Sequence, residues 1–183
     1  MKPLFTVHGG EYLVGSYIEQ HYNHVNVWVP SRDTGVDLLV SDRKSRRTVS
    51  LQVKFSKDYL VTHMETAFQK NLRACGWWTI NRAKLRSSPA DFWVFVLLGF
   101  ERHSTDFIII PPTQLLLRLQ SIHGSRQSII QTYLWVTERN RCWETRGLER
   151  KEQILVANCE YEDAHRDLTK WLNAWTPVKQ LNR

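Results

Sequence analysis

Apolar positions recur first with a helical period and then with a strand period. After Gly9-Gly10, the residues Leu13, Val14, Tyr17, Ile18 and His21-Tyr22 return every three or four positions, which predicts a helix over residues 10–23. Glu11 shares a face with Val14, Gly15 and Ile18, so this pattern carries a carboxylate inward at the helix start. Three strand-like runs follow. Residues 25–29 and 48–55 alternate between apolar and polar, and residues 35–40 are short and largely apolar. The stretch 30–34 is turn material, and residues 42–47 (Asp-Arg-Lys-Ser-Arg-Arg) form a strongly basic hairpin tip. A helix followed by an antiparallel meander is the local expectation.

Further on, Met64, Phe68, Leu72 and Cys75 suggest a helix over 62–75, with Thr62 and Glu65 as a capping box and Gly76 after its end. Residues 77–80 read as a short strand, and Asn81 as the cap of a brief helix through Leu85. The runs 92–100 and 107–110 read as buried strands joined by a polar turn. Pro111-Pro112 ends the second, and helical character returns over 115–122. Residues 129–136 predict a strand, 137–151 a loop or exposed hairpin, 154–156 a short strand, and Ala164, Leu168, Trp171, Leu172 and Trp175 a C-terminal helix. No repeat or linker interrupts this, so the expectation is one α/β domain over 1–183, with its core at about 10–125 and 126–183 elaborating it.

The chemistry centres on Asp37. It lies within an apolar run, and carboxylates are seldom buried unless paired or metal-bound. Alone, it reads more readily as a strand-end carboxylate held by a turn amide or an arginine. The next strand adds weight. Leu51, Val53 and Phe55 point one way, and Gln52 and Lys54 the other, their tips about 6–7 Å apart along the strand. Pairing through the basic hairpin sets Asp37 opposite this polar pair. A carboxylate and an amide oxygen suit a hard cation. A nearby ammonium can position a water or stabilise developing charge in phosphodiester cleavage.

Asp37 and Gln52-Val53-Lys54, with fourteen residues between Asp37 and Gln52, resemble the PD-(D/E)XK nuclease superfamily. The Gln-x-Lys form is similar to Mrr-type restriction enzymes and relatives of Holliday-junction resolvases, which also carry a Glu on the first helix, where Glu11 stands. The resemblance covers residues 10–56 and, more loosely, 77–112. It implies a restriction-endonuclease-like mixed β-sheet of about five strands flanked by helices. It also implies Mg²⁺ (or Mn²⁺) held by Asp37, Gln52, the Val53 carbonyl and Glu11, with Lys54 assisting the attacking water. The activity implied is hydrolysis of DNA phosphodiester bonds, in restriction, repair or mobile-element defence, by a homodimer. The rival is a non-catalytic module on the same fold that binds nucleic acid or a partner protein, a reading kept open by the uncharged Gln52.

Composition refines this picture modestly. Lys and Arg number 25 against 18 Asp and Glu, a net charge of +7 that favours polyanionic partners. Arg43, Lys44, Arg46, Arg47 and Lys57 are candidates for contacting a phosphate backbone, with Lys70, Arg73, Arg82, Lys84 and Arg86 further along. Most of the eight tryptophans belong in the core, Trp77-Trp78 included. Three scattered cysteines argue against a disulfide framework or a structural zinc site. His21-x-x-His24 has zinc-like spacing but no third ligand in view. Without an apolar leader or a membrane-length run, the expected setting is the reducing cytoplasm.

Overall fold

The computed structural model describes residues 9–32, 34–56, 68, 70–99 and 103–182. Helix α1 (Gly9–His21) leads into β1 (Val25–Trp28), β2 (Leu38–Asp42) and β3 (Thr48–Phe55). These strands form an antiparallel meander in which Val25 faces Asp42 and Leu38 faces Leu51. The chain continues through β4 (Leu72–Asn81), α2 (Arg82–Arg86), β5 (Phe92–Gly99), β6 (Ser104–Ile110) and α3 (Pro112–His123). It closes with β7 (Ile129–Thr137), β8 (Cys142–Glu144), α4 (Arg150–Asn158) and α5 (Thr176–Lys179).

The strands make two sheets, one of five strands in the order β1-β2-β3-β5-β6 and one of three in the order β4-β7-β8. The larger sheet is mixed, because β5 runs parallel to β3 and antiparallel to β6. The architecture is therefore α/β with a central mixed sheet and flanking helices.

Side-chain alternation explains how the layers stack. Leu38, Val40, Leu51, Val53, Val94, Val96, Phe107 and Ile109 bury one face against Val14 and Ile18 of α1 and against Trp175, Val178 and Leu181. Trp93, Phe95, Leu97, Ile108 and Ile110 bury the other face against the second sheet and Leu115 and Leu119 of α3. Strands β5 and β6 are thus covered on both sides, which is why they read as unbroken apolar runs.

Several expectations are corrected. Leu72 and Cys75 belong to β4, paired with Thr137 and Trp135 of β7, so tertiary pairing overrides their helical spacing; residues 62–67 and 69 of the expected helix lie outside the described residues. Residues 154–156 lie within α4, which opens on a capping box between Glu149 and Glu152. The expected C-terminal helix does not form. Asp167 bridges Trp143, and Leu172 bridges Ile108, so this segment extends the sheets through single strand-like contacts. Residues 137–151 contain β8, all three residues of which are buried. Among the described residues, no helix is long and apolar enough to cross a membrane.

Candidate functional site

Three elements meet at Val53. The first is the start of α1, where Gly10 lies flat on β3. A Cβ at this position would sit 2.6 Å from Phe55 Cβ and 3.2 Å from Val53 Cγ1, so only glycine permits the approach. The next residue, Glu11, is thereby carried into the protein, with 5% of its surface exposed. Its place in the first helical turn suits a carboxylate, because the helix dipole is positive there.

The second is the mouth of β2. Ladder pairing begins at Leu38, and the Asp37 amide donates to the Leu51 carbonyl at 2.8 Å. The Asp37 carboxylate then accepts the Val53 N–H at 2.8 Å through Oδ2, standing in for the backbone acceptor that a longer β2 would have supplied. Asp37 is 7% exposed, and the amide bond accounts for the burial of that oxygen. The β2–β3 ladder ends at Leu38–Leu51 and the Asp37 amide bonds back to that same Leu51, so the expected placement of Asp37 opposite Gln52 and Lys54 does not continue the ladder; Asp37 meets β3 at the Val53 amide instead.

The third is β3 itself. Gln52 and Lys54 project from the face opposite Val53 and are half-buried. The parallel register places Trp93 beside Gln52 and Phe95 beside Lys54. Lys54 Nζ lies 5.1 Å from the centre of the Trp93 ring, within cation–π range. Trp93 is fixed in turn by its Nε1–H, which donates to Ser88 Oγ at 2.8 Å. Sequence reasoning missed Trp93, because nothing in one chain's periodicity gives the register of a parallel partner some forty residues away.

The available donors are carboxylate, amide and carbonyl oxygens, the set that a hard divalent cation prefers. Among the described residues, no group of three or more His, Cys, Asp or Glu lies close enough to share an ion. The oxygens of Glu11, Asp37, the Gln52 amide and the Val53 carbonyl would suit Mg²⁺ or Mn²⁺ in kind, with Glu11 approaching from the α1 face and Gln52 from the opposite one.

The basic residues divide. Arg43 donates to the Asn23 carbonyl through Nε at 3.2 Å and Nη2 at 2.7 Å. Arg47 reaches the Leu181 carbonyl at 3.1 Å. Asp42 accepts the Arg46 amide at 2.8 Å, and that bond, with the nearby Arg47, holds its carboxyl below the usual range. Lys44 and Arg46 are exposed, and Lys57 lies outside the described residues. Two of the more distant candidates are structural instead. Arg73 grips Asp106 through both carboxylate oxygens, at 2.8 and 2.6 Å. Arg82 is buried and donates to the Gln127 and Gly124 carbonyls. His21 bonds the Tyr17 carbonyl at 2.8 Å and stacks on that ring, so the His-x-x-His spacing reflects helix-end packing.

No family model, curated protein or solved structure matches this chain. The functional reading therefore rests on the residues themselves.

Proposed function

We propose that this chain is a Mg²⁺- or Mn²⁺-dependent endonuclease that hydrolyses DNA phosphodiester bonds, a member in kind of the PD-(D/E)XK group that its motif resembles. One observation carries the proposal: Val53 is the common neighbour of the motif. Its amide holds Asp37, its side chain seats the start of α1 beside Glu11, and Gln52 and Lys54 flank it on β3. The five-stranded mixed sheet is the architecture that this resemblance implied.

In this reading Asp37 and Glu11 supply negative charge, and Gln52 and the Val53 carbonyl supply neutral oxygens, at one end of the sheet. A bound divalent ion contributes Lewis acidity toward the scissile phosphate. Lys54 holds a water for in-line attack and offers positive charge to the pentavalent transition state. The Trp93 ring holds the Lys54 ammonium on the sheet face opposite α1. Cutting both strands of a symmetric duplex calls for two such sites, so a homodimer belongs to the proposal. A reducing cytoplasm is its setting, in keeping with three free cysteines.

Supercoiled plasmid with Mg²⁺ or Mn²⁺ tests it. Nicking by wild type and none by Asp37→Ala or Lys54→Ala is expected; equal nicking by all three would mean contamination and end the proposal. A second reading, a nuclease-fold module that binds without cutting, is favoured by one feature: the third ligand position is held by the neutral Gln52. Metal-independent DNA binding with no cleavage would select it.

A further inference from the structure

A polar recess lies at the far end of β2. Arg43, Lys44 and Arg47 of the hairpin tip line it together with Asn23 and His24, which follow α1, around a cavity of about 470 Å³. Two features mark it as built rather than as loose surface charge. The Arg43 and Arg47 guanidiniums are held by backbone carbonyls of Asn23 and Leu181, which are neutral, so both are fixed in place without losing their charge to a carboxylate on those bonds. His24 contributes an Nε2 that is buried without a hydrogen-bond partner. Among the described residues the one carboxylate in the lining, Asp42, is engaged by the Arg46 amide and lies 3.8 Å from Arg47 Nε. Three cations thus face one engaged anion.

The volume lies in the range of small-molecule sites, but such sites are mainly apolar, and here, among the described residues, the only apolar lining residue is Leu181. The chemistry suits a phosphodiester backbone better than a base or a metabolite. Position supports the same ligand. Asp37 and Asp42 mark the two ends of β2, five residues apart, or about 17 Å at the rise of an extended strand. That is about five base-pair steps of rise along a duplex axis.

We propose that this recess is a phosphate-binding site that grips the DNA backbone at a fixed distance from the Asp37 site. Resting on the endonuclease reading, it deepens it: the recess positions the substrate and takes no part in chemistry. It also separates Arg43, Lys44 and Arg47 from Arg46, which does not line the recess.

The test measures binding of two unrelated duplexes in EDTA, as a function of salt, for wild type, Arg43→Gln, Lys44→Gln and Arg46→Gln. Lys44 is exposed and, unlike Arg43, holds no backbone carbonyl of another segment among the described residues, so its variant guards against misfolding in the Arg43 variant. Arg43→Gln and Lys44→Gln should each weaken both duplexes alike and reduce the log K against log[salt] slope by about 0.9. Arg46→Gln should bind within about twofold of wild type, with little change in slope. Unchanged binding in the first two variants overturns the site. So does an equal loss in Arg46→Gln, which would indicate diffuse tip charge, or a wild type that binds free phosphate or mononucleotide but no duplex. If the variants behave as expected and wild type fails to nick plasmid with Mg²⁺, the recess stands and the endonuclease reading falls.

Discussion

Substituting Gly10 by alanine tests how α1 is seated. The new Cβ would meet Phe55 Cβ at 2.6 Å, and Phe55 Cγ and Val53 Cγ1 at 3.2 Å. Carbon atoms rest at about 3.5–4.0 Å, so the start of α1 must lift from β3 by roughly 1 Å. It cannot lift freely, because Val14 and Ile18 further along the helix are fully buried. Overpacking of this kind costs about 1–3 kcal/mol. At this chain length that lowers the melting temperature by roughly 2–12 °C. The same helix provides its own controls. A Cβ at Gly9 meets nothing within 4 Å, and one at Gly15 meets only Val27 Cγ1 at 3.8 Å. Gly15→Ala should gain about 0.5–1 kcal/mol from helix propensity, and Gly9→Ala should be near neutral. Thermal melts of the three variants decide the matter. If Gly10→Ala melts with or above Gly9→Ala, the seating of α1 on β3 is wrong, and with it the placement of Glu11. Should the seating hold, a displacement of about 1 Å also predicts a loss of about 10²-fold in DNA cleavage, out of proportion to the lost stability.

Other predictions probe neighbouring contacts. Trp93→Leu removes the ring beneath Lys54 Nζ and should slow cleavage severalfold while DNA binding persists; Trp93→Phe, which keeps a ring, should retain more activity, and equal rates in both variants would deny the ring a role. Arg73→Met leaves the Asp106 carboxylate, whose side chain is 4% exposed, without its bidentate partner, and should cost about 3–5 kcal/mol in urea unfolding. Burial opposes ionisation of Asp167, yet its bonds from Thr169 and Arg141 outweigh that and leave its carboxyl below the usual range. A depressed folded-state value contributes stability above the unfolded value that is lost as pH falls through the folded one, so Asp167→Asn should flatten the acid limb of the stability profile below about pH 4 and leave its shape above that unchanged. A parallel acid limb in both proteins would contradict this.

The parts of this fold that were legible in the sequence are those whose partners lie nearby in the chain. Helix α1 and the β1-β2-β3 meander follow from period and turn chemistry, and Asn81 caps α2 through its bond to the Lys84 amide. The expected helix over 62–75 failed at its C-terminal end because Leu72 and Cys75 find their partners in β7, some sixty residues on. The C-terminal segment failed for a related reason. Trp171 and Trp175 have helical spacing, but each packs into a different layer, one with α3 and the second sheet and the other with α1, and a single helix could not serve both. At the candidate site the sequence brought Asp37 to β3 through the hairpin, but its contact there is the Val53 amide and not a ladder pairing with Gln52. It missed Trp93, and it treated the basic tip as uniform charge where the C-terminal Leu181 makes one side of it a recess.

The central claim is that Glu11, Asp37, Gln52 and Val53 gather donors for one hard cation. The most direct measurement is titration of the protein with Mn²⁺, following the loss of the free-ion electron paramagnetic resonance signal. Wild type should take up about one ion, Asp37→Asn should lose that uptake, and added Mg²⁺ should compete for the same site. Identical uptake by wild type and Asp37→Asn, or uptake that Mg²⁺ does not displace, would contradict the account.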